Sequence, residues 1–218
     1  SNFKKEYDID ELCNYFRCGF TNSTKTIYKR TFSSKPGDLV KINLENLNVV
    51  KDYAKIICDK KIFFNKQEIN LFDETSKSLT SSLIGTRSCG ILLSGGLDST
   101  AVAVGCSELN KISKAYTLFY TGEDNSELLQ AQVTSKELGF EHVPVELNIE
   151  DGMEVMQNLH EIIDYPNPDP GIISSYVVAR EASNKDTILL TGDGGDEMFG
   201  GYNRYQNVIK RYASIYNY

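Results

Sequence analysis

The chain has 218 residues, enough for one domain with a sizeable buried core and a small appendage, but too few for two large domains. With 23 Lys and Arg against 30 Asp and Glu the net charge is −7, which disfavours wrapping nucleic acid or an anionic membrane, where affinity comes mainly from neutralising phosphates. At 40% apolar and 24% charged residues the composition is that of a folded globular protein.

From Asp8 to Phe20 the apolar residues Ile9, Leu12, Phe16 and Phe20 recur at three- and four-residue steps, which predicts a short amphipathic helix ending near Gly19. Residues 26–32 and 39–44 have strand character and are separated by the turn-rich segment 33–38, so a hairpin is expected there. Residues 45–68 are polar and weakly patterned, the expected character of a surface linker, and a helix is predicted over 71–85. Beyond residue 88 short apolar runs at 89–93, 114–119, 142–147 and 187–191 alternate with amphipathic segments. This is the pattern of a parallel, doubly wound α/β sheet with crossover helices. One of those helices carries Leu128, Ala131, Ser135 and Leu138 on a face, and the next carries Met153, Met156, Leu159 and Ile163. The domain division follows: 1–68 for helix, hairpin and linker, and 69–218 for the α/β domain.

Five cysteines, Cys13, Cys18, Cys58, Cys89 and Cys106, form no C-x-x-C pair, the usage expected of free thiols in a reducing cytoplasm. The two histidines, His142 and His160, lie at no metal spacing from a cysteine, which argues against zinc. No apolar run approaches the length of a bilayer span, and the start has no basic region leading into an apolar one. The expected location is cytoplasmic.

Sheets of this kind carry their chemistry in the loops at the carboxyl ends of the strands. The first such loop is Ser94-Gly95-Gly96-Leu97-Asp98-Ser99-Thr100, between a buried strand and the apolar helix Ala101-Val102-Ala103-Val104. Paired glycines let backbone N–H groups converge on an anion, the hydroxyls of Ser94, Ser99 and Thr100 add donors, and the helix N-terminus adds positive potential. The loop lacks the lysine and spacing of G-x4-G-K-[ST]. An aspartate within an anion cradle repels phosphate unless a cation lies between them, so Asp98 points to Mg²⁺. The bland alternative is a tight strand-to-helix turn with Asp98 or Ser99 as the N-cap.

The second loop, Thr191 to Tyr202, packs five glycines and the acids Asp193, Asp196 and Glu197 into twelve residues, and is expected to be irregular. Clustered carboxylates are costly without a metal or a developing positive charge; the alternative is a structural acidic turn, whose spacing does not match an EF-hand. Together the loops suit Mg²⁺-assisted cleavage of ATP between the α- and β-phosphates, with a substrate carboxylate attacking the α-phosphorus to give an acyl-adenylate.

At these residues the sequence resembles the synthetase domain of the class B, glutamine-hydrolysing asparagine synthetases of the ATP-pyrophosphatase family. Ser94 to Ser99 matches their SGGLDS pyrophosphate motif, Gly192 to Tyr202 matches GDGGDELFGGY with Met198 in the Leu position, and Asp164 to Pro170 resembles E-x-P-x-x-D-P with Asp164 for Glu. The segment 8–44 resembles the stretch that joins the family's glutaminase and synthetase domains. The resemblance implies an adenine nucleotide alpha hydrolase-like fold, with ATP and Mg²⁺ as cofactors. It places pyrophosphate on Ser94, Gly95, Gly96, Ser99 and Thr100, and the metal on Asp98 and Asp196. It assigns Asp193 to organising the adenylate and the attack of ammonia, and sets Leu92, Leu118, Thr191 and Gly192 around the AMP moiety, although simple sheet core serves Leu92 and Leu118 equally well. Arg204 and Tyr205 are either substrate-side groups or the solvated first turn of the last helix.

The implied reaction joins aspartate and ammonia, so a small-molecule carboxylate is the expected partner, with a separate glutaminase as a further one. The family's glutaminase domain begins with a catalytic cysteine where this sequence has Ser1, and its synthetase domain continues past the position of Tyr218, so a fragment or shortened member is expected. The final stretch, Tyr202 to Tyr218, would expose part of its apolar face, which suggests a homo-oligomer or a further segment. Other readings stay open: a related amidotransferase or β-lactam synthetase-like enzyme acting on another carboxylate, a tRNA-modifying ATP pyrophosphatase, which the acidic charge opposes, and an inactive ATP-binding scaffold.

Overall fold

The computed structural model describes residues 5–22, 24–53, 70–83, 85, 88–107, 109, 112–122 and 125–216. They belong to two compact units, one of Ser1–Glu68 with Pro166–Asp169 and one of Ile69–Tyr165 with Pro170–Tyr218.

In the smaller unit, α1 (Ile9–Cys18) starts at Asp8, whose carboxylate accepts the Glu11 N–H, and stops at Gly19, whose φ of 79° lets its N–H return to the Tyr15 carbonyl. Glu11 is only 1% exposed although it lies in the first turn. Its carboxylate accepts from the Asn22 backbone at 3.1 Å and side chain at 2.9 Å, and pairs with Lys25 at 3.2 Å. The hydrogen bonds from Asn22 are the main reason that its pKa falls to about 2. The helix therefore lies where the periodicity put it.

The hairpin does not. β1 (Asp38–Ile42) pairs antiparallel with β2 (Val49–Tyr53), in register from Asp38↔Tyr53 to Ile42↔Val49. The turn between them is built on Asn43, whose side chain accepts the N–H groups of Glu45 and Asn46, and Leu47 takes a φ of 56°. Residues 26–32 make only isolated bridges, Tyr7↔Tyr28 and Lys25↔Phe32, because Arg30 at φ 60° breaks the extended run. Part of the expected linker is thus strand β2, and its remainder, 54–68, lies outside the described residues.

The larger unit opens with α2 (Leu71–Ser82), capped by the Asn70 side chain on Phe72 N. β3 (Cys89–Leu92), β4 (Ile112–Tyr120), β5 (Glu141–Leu147) and β6 (Ile188–Leu190) form a parallel sheet in the order β5-β4-β3-β6. The chain enters in the middle at β3, steps outward to β4 and β5, then crosses back to β6. Between them run α3 (Leu97–Ser107), α4 (Ser126–Leu138), α5 (Ile149–Gln157), α6 (Leu159–Ile162) and α7 (Gly171–Ser183). Alternation along β4 sends Ala115 to one face, with Ile91, Leu93, Ala103, Cys106 and Ala131, and Tyr116 to the other, with Val145, Val155, Val177 and Val178. Both faces are covered, as the doubly wound reading requires, and each fully buried aliphatic such as Ile91 or Leu93 contributes about 1.5–3 kcal/mol.

One helical expectation changes. α4 buries Ala131 and Ser135 as its pattern indicated, together with Thr134. On α5, however, Met153 and Met156 are 57% and 60% exposed and Val155 is the buried residue. The Met-Met-Leu-Ile spacing assumed one continuous helix, whereas the chain breaks at Asn158 and restarts as α6. Cys13 and Cys18 are exposed free thiols; Cys89 and Cys106 are buried free thiols whose pKa values burial raises to about 11 and about 12, so they are inert at neutral pH. Cys58 lies outside the described residues. Among the described residues no helix is long and apolar enough to cross a membrane.

Candidate active site

The sheet order reverses at β3, whose neighbours β4 and β6 lead away on opposite sides, and this is where parallel sheets open a crevice at the carboxyl ends of their strands. Both glycine-rich loops lie there. After β3 the chain turns through Gly95, at φ 77°, and enters α3 directly at Leu97, so Asp98, Ser99 and Thr100 form the first helical turn rather than a loop before it. The first helical bond runs from Thr100 N to Gly96 O at 3.1 Å. The Ser99 hydroxyl accepts from Ser94 N at 3.2 Å and donates to Gly96 O at 3.2 Å, the two serine hydroxyls lie 3.0 Å apart, and Gly96 N reaches Ser94 Oγ at 3.3 Å. The cradle thus closes on itself through groups that could equally serve an anion.

The second loop is not wholly irregular. Gly194 and Gly200, at φ 93° and 73°, bracket a short helix, α8 (Gly195–Phe199), so the glycines supply its two caps. It leads into α9 (Asn203–Tyr216), which exposes Val208, Ile209 and Tyr212 as expected.

The loops meet at two glycines. A Cβ on Gly192 would lie 2.7 Å from Ser99 N, and one on Gly195 would fall on the carboxyl group of Asp98. The acidic loop is therefore seated on the first turn of α3 at a distance that only glycine permits. The result is a cleft of about 540 Å³ lined by Asp98, Thr100, Thr191, Gly192 and Asp193, with an apolar rim of Phe72, Leu97, Val104, Met198 and Phe199. That volume lies within the range of small-molecule sites. Thr191 donates to the Asp193 carboxylate at 3.0 Å.

Of the residues singled out from sequence, Asp98, Thr100, Thr191, Gly192 and Asp193 share this cleft, and Ser94, Gly96 and Ser99 form the cradle beside it. Asp196 does not line the cleft; its carboxylate packs on Gly201 while its carbonyl takes the N–H groups of Gly200 and Gly201. Leu92 and Leu118 pack into the core beside Tyr116 and Val145. Among the described residues no three His, Cys, Asp or Glu side chains converge as a metal cage. Mg²⁺ uses one or two carboxylates with substrate phosphates and water, so Asp98, whose carboxylate has no ion-pair partner among the described residues, fits such a role with its oxygen neighbours.

Sequence reasoning missed the apolar rim, for which Met198-Phe199 within an otherwise acidic, glycine-rich segment was the available signal. Outside the cleft, Tyr202 donates to Glu197, which lowers the glutamate's pKa and lifts the tyrosine's to about 12. Arg204 stacks over the Tyr202 ring at 4.2 Å. A further cleft of about 680 Å³ opens at the ends of β4 and β5, where Tyr120 and Ser174 share a hydrogen bond of 2.9 Å.

Residues 71–215 match the asparagine synthase family. An asparagine synthetase (glutamine-hydrolyzing) 1 from Bacillus subtilis is 28% identical over 208 residues, covering 94% of this chain and 32% of its own length. An asparagine synthetase (glutamine-hydrolyzing) from Bos taurus is 33% identical over 141 residues, covering 61% of this chain and 24% of its own. The chain thus spans a third or less of these relatives. Among solved structures, an NH3-dependent NAD synthetase from Campylobacter jejuni aligns with a TM-score of 0.42 and 14% identity over 61% of this chain and 59% of that one. With the family match extending from α2 to the end of α9 and holding both glycine-rich loops, the chain belongs to the asparagine synthase family.

Proposed function

We propose that this chain is the synthetase portion of an ATP-dependent, amide-forming ligase. The single observation that carries the reading is the seating of the acidic loop on α3, which leaves the Asp98 carboxylate in a cleft beside a hydroxyl- and N–H-rich cradle. Family membership supports it.

In this reading the N–H groups of the first turn of α3 and the hydroxyls of Ser94, Ser99 and Thr100 hold the β- and γ-phosphates of ATP, the serines exchanging their mutual hydrogen bonds for phosphate oxygens. Asp98 holds Mg²⁺, with Asp196 as its second carboxylate after a turn away from Gly201; the ion offsets phosphate charge when bound. Thr191 and Gly192 face the nucleotide, with Leu92 and Leu118 supporting it from the sheet. A substrate carboxylate, the aspartate side chain, attacks the α-phosphorus; the α–β bridging bond breaks and pyrophosphate leaves. Ammonia then attacks the acyl carbon, AMP departs and a proton is lost to give the amide. Asp193, held by Thr191, orients the adenylate and the incoming ammonia. Catalysis here is positioning and charge stabilisation, with no side-chain nucleophile. A separate glutaminase supplies ammonia, and the protein works in the cytoplasm, as a homo-oligomer through the apolar face of α9.

The test is product analysis with α-labelled ATP, Mg²⁺ and a panel of carboxylates, with and without ammonia, on this chain and on any longer product of its gene. Aspartate-dependent AMP is the expected result, and AMP dependent on another acid reassigns the substrate. ADP as product overturns the proposal.

A further inference from the structure

We infer that Thr117 and His142 are positioning residues for the anion cradle, acting through the carbonyl of Leu93. Thr117 lies on β4, fully buried, on the face shared with Ala115 and α3. Its hydroxyl donates to Leu93 O at 2.7 Å, and His142 Nε2 on β5 lies 3.0 Å from the same hydroxyl oxygen. A threonine hydroxyl has one proton, and here the carbonyl takes it. His142 therefore donates, which fixes its proton on Nε2. Burial lowers the pKa of His142 and so favours the neutral ring with its proton on Nε2, although the charged ring would donate there as well.

The consequence lies one atom pair further on. Leu93 is the last residue before the cradle, and its N–H is already held by Tyr116 O at 2.8 Å. The peptide joining Leu93 to Ser94 is planar and trans, so its C=O and N–H point in opposite directions. Drawing Leu93 O onto Thr117 aims Ser94 N–H the other way, onto Ser99 Oγ at 3.2 Å, which is where the cradle begins. Apolar side chains at both positions would fill the sheet face without setting the direction of that peptide. The polar pair turns a strand end into a fixed first donor, and His142 keeps the hydroxyl from rotating to another acceptor.

The ligand readout rests on the nucleotide reading above; the second readout does not. Magnesium pyrophosphate is titrated calorimetrically into the wild type and into Thr117→Val, Thr117→Ser, His142→Ala and His142→Gln, and amide hydrogen exchange is followed at residues 94–96 and in the strand core at Ile91 and Ala115. Thr117→Val is expected to weaken pyrophosphate affinity about tenfold and His142→Ala by less, as the loss of one buried hydrogen bond predicts. Both should speed exchange at 94–96 and leave the strand core unchanged. Thr117→Ser and His142→Gln, which keep the donors, should restore both. Wild-type affinity with unchanged exchange in Thr117→Val overturns the inference, as does loosening that spreads through the strand core. If the wild type itself binds no pyrophosphate, the nucleotide reading falls, and exchange at 94–96 alone decides the positioning.

Discussion

Asp98 and Asp186 sit at opposite ends of the same sheet, and each is pressed against a glycine. At the start of β6, Asp186 is 8% exposed and accepts a 2.6 Å hydrogen bond from the Tyr116 hydroxyl across Gly90, where a Cβ would lie 2.6 Å from the tyrosine ring. At the other end Asp98 is packed on Gly195, but its carboxylate faces a cleft and meets no cation among the described residues. The first aspartate brings its own donor, and burial together with that bond pushes the Tyr116 pKa upward. The second leaves the partner to be supplied from outside. A buried carboxylate with one oxygen held by a donor of its own sheet, its Oδ1 having no hydrogen-bond partner among the described residues, serves the fold, whereas one that faces a cleft without a cation is poised for a ligand.

Exchanging the two carboxylates' chemistry is the hardest test of that contrast. Asp98→Asn should lower ATP cleavage by about 10²–10³ while leaving the urea midpoint within experimental scatter, because it removes a charge used only with ligand. A large loss of stability would make Asp98 a structural residue. Tyr116→Phe should do the reverse: it strands a buried carboxylate oxygen and costs about 1–3 kcal/mol in urea unfolding, with residual nucleotide binding in the folded fraction unchanged.

Glu11 extends the comparison to the smaller unit. Its pKa of about 2 lies below the ordinary 4.5, so its charged form is favoured by folding. That stabilisation is complete above about pH 4.5 and is lost as the pH falls through about 2. Exchange protection of α1 should therefore fall over this window, and Glu11→Gln should start lower and flatten the dependence. The smallest effect is expected at Glu197, which is exposed and accepts from the Tyr202 hydroxyl; Glu197→Gln should leave the thermal melting midpoint within experimental scatter.

The same contrast explains what could be read from sequence. β3 to β6 were legible because short apolar-rich runs alternate with amphipathic helical segments, and α1 because Asp8 and Gly19 cap an unbroken period. β2 was hidden because Val49–Tyr53 is part of a small, two-stranded polar hairpin, while residues 26–32 carry strand-forming side chains on a backbone that Arg30 bends away. The two loops announced their chemistry through composition, but not their geometry: α8 depends on two left-handed glycines, and the outward placement of Asp196 on Gly201. Thr117 and His142 gave no signal, since a threonine in a strand and a histidine beside it are unremarkable until their hydroxyl and ring nitrogen are seen to meet.

The most direct measurement is the binding of pyrophosphate to the wild type and to Asp98→Asn, with and without Mg²⁺. If Asp98 waits for a cation, tight binding is expected only for the wild type with Mg²⁺. Binding that ignores Mg²⁺, or that survives unchanged in Asp98→Asn, would contradict it.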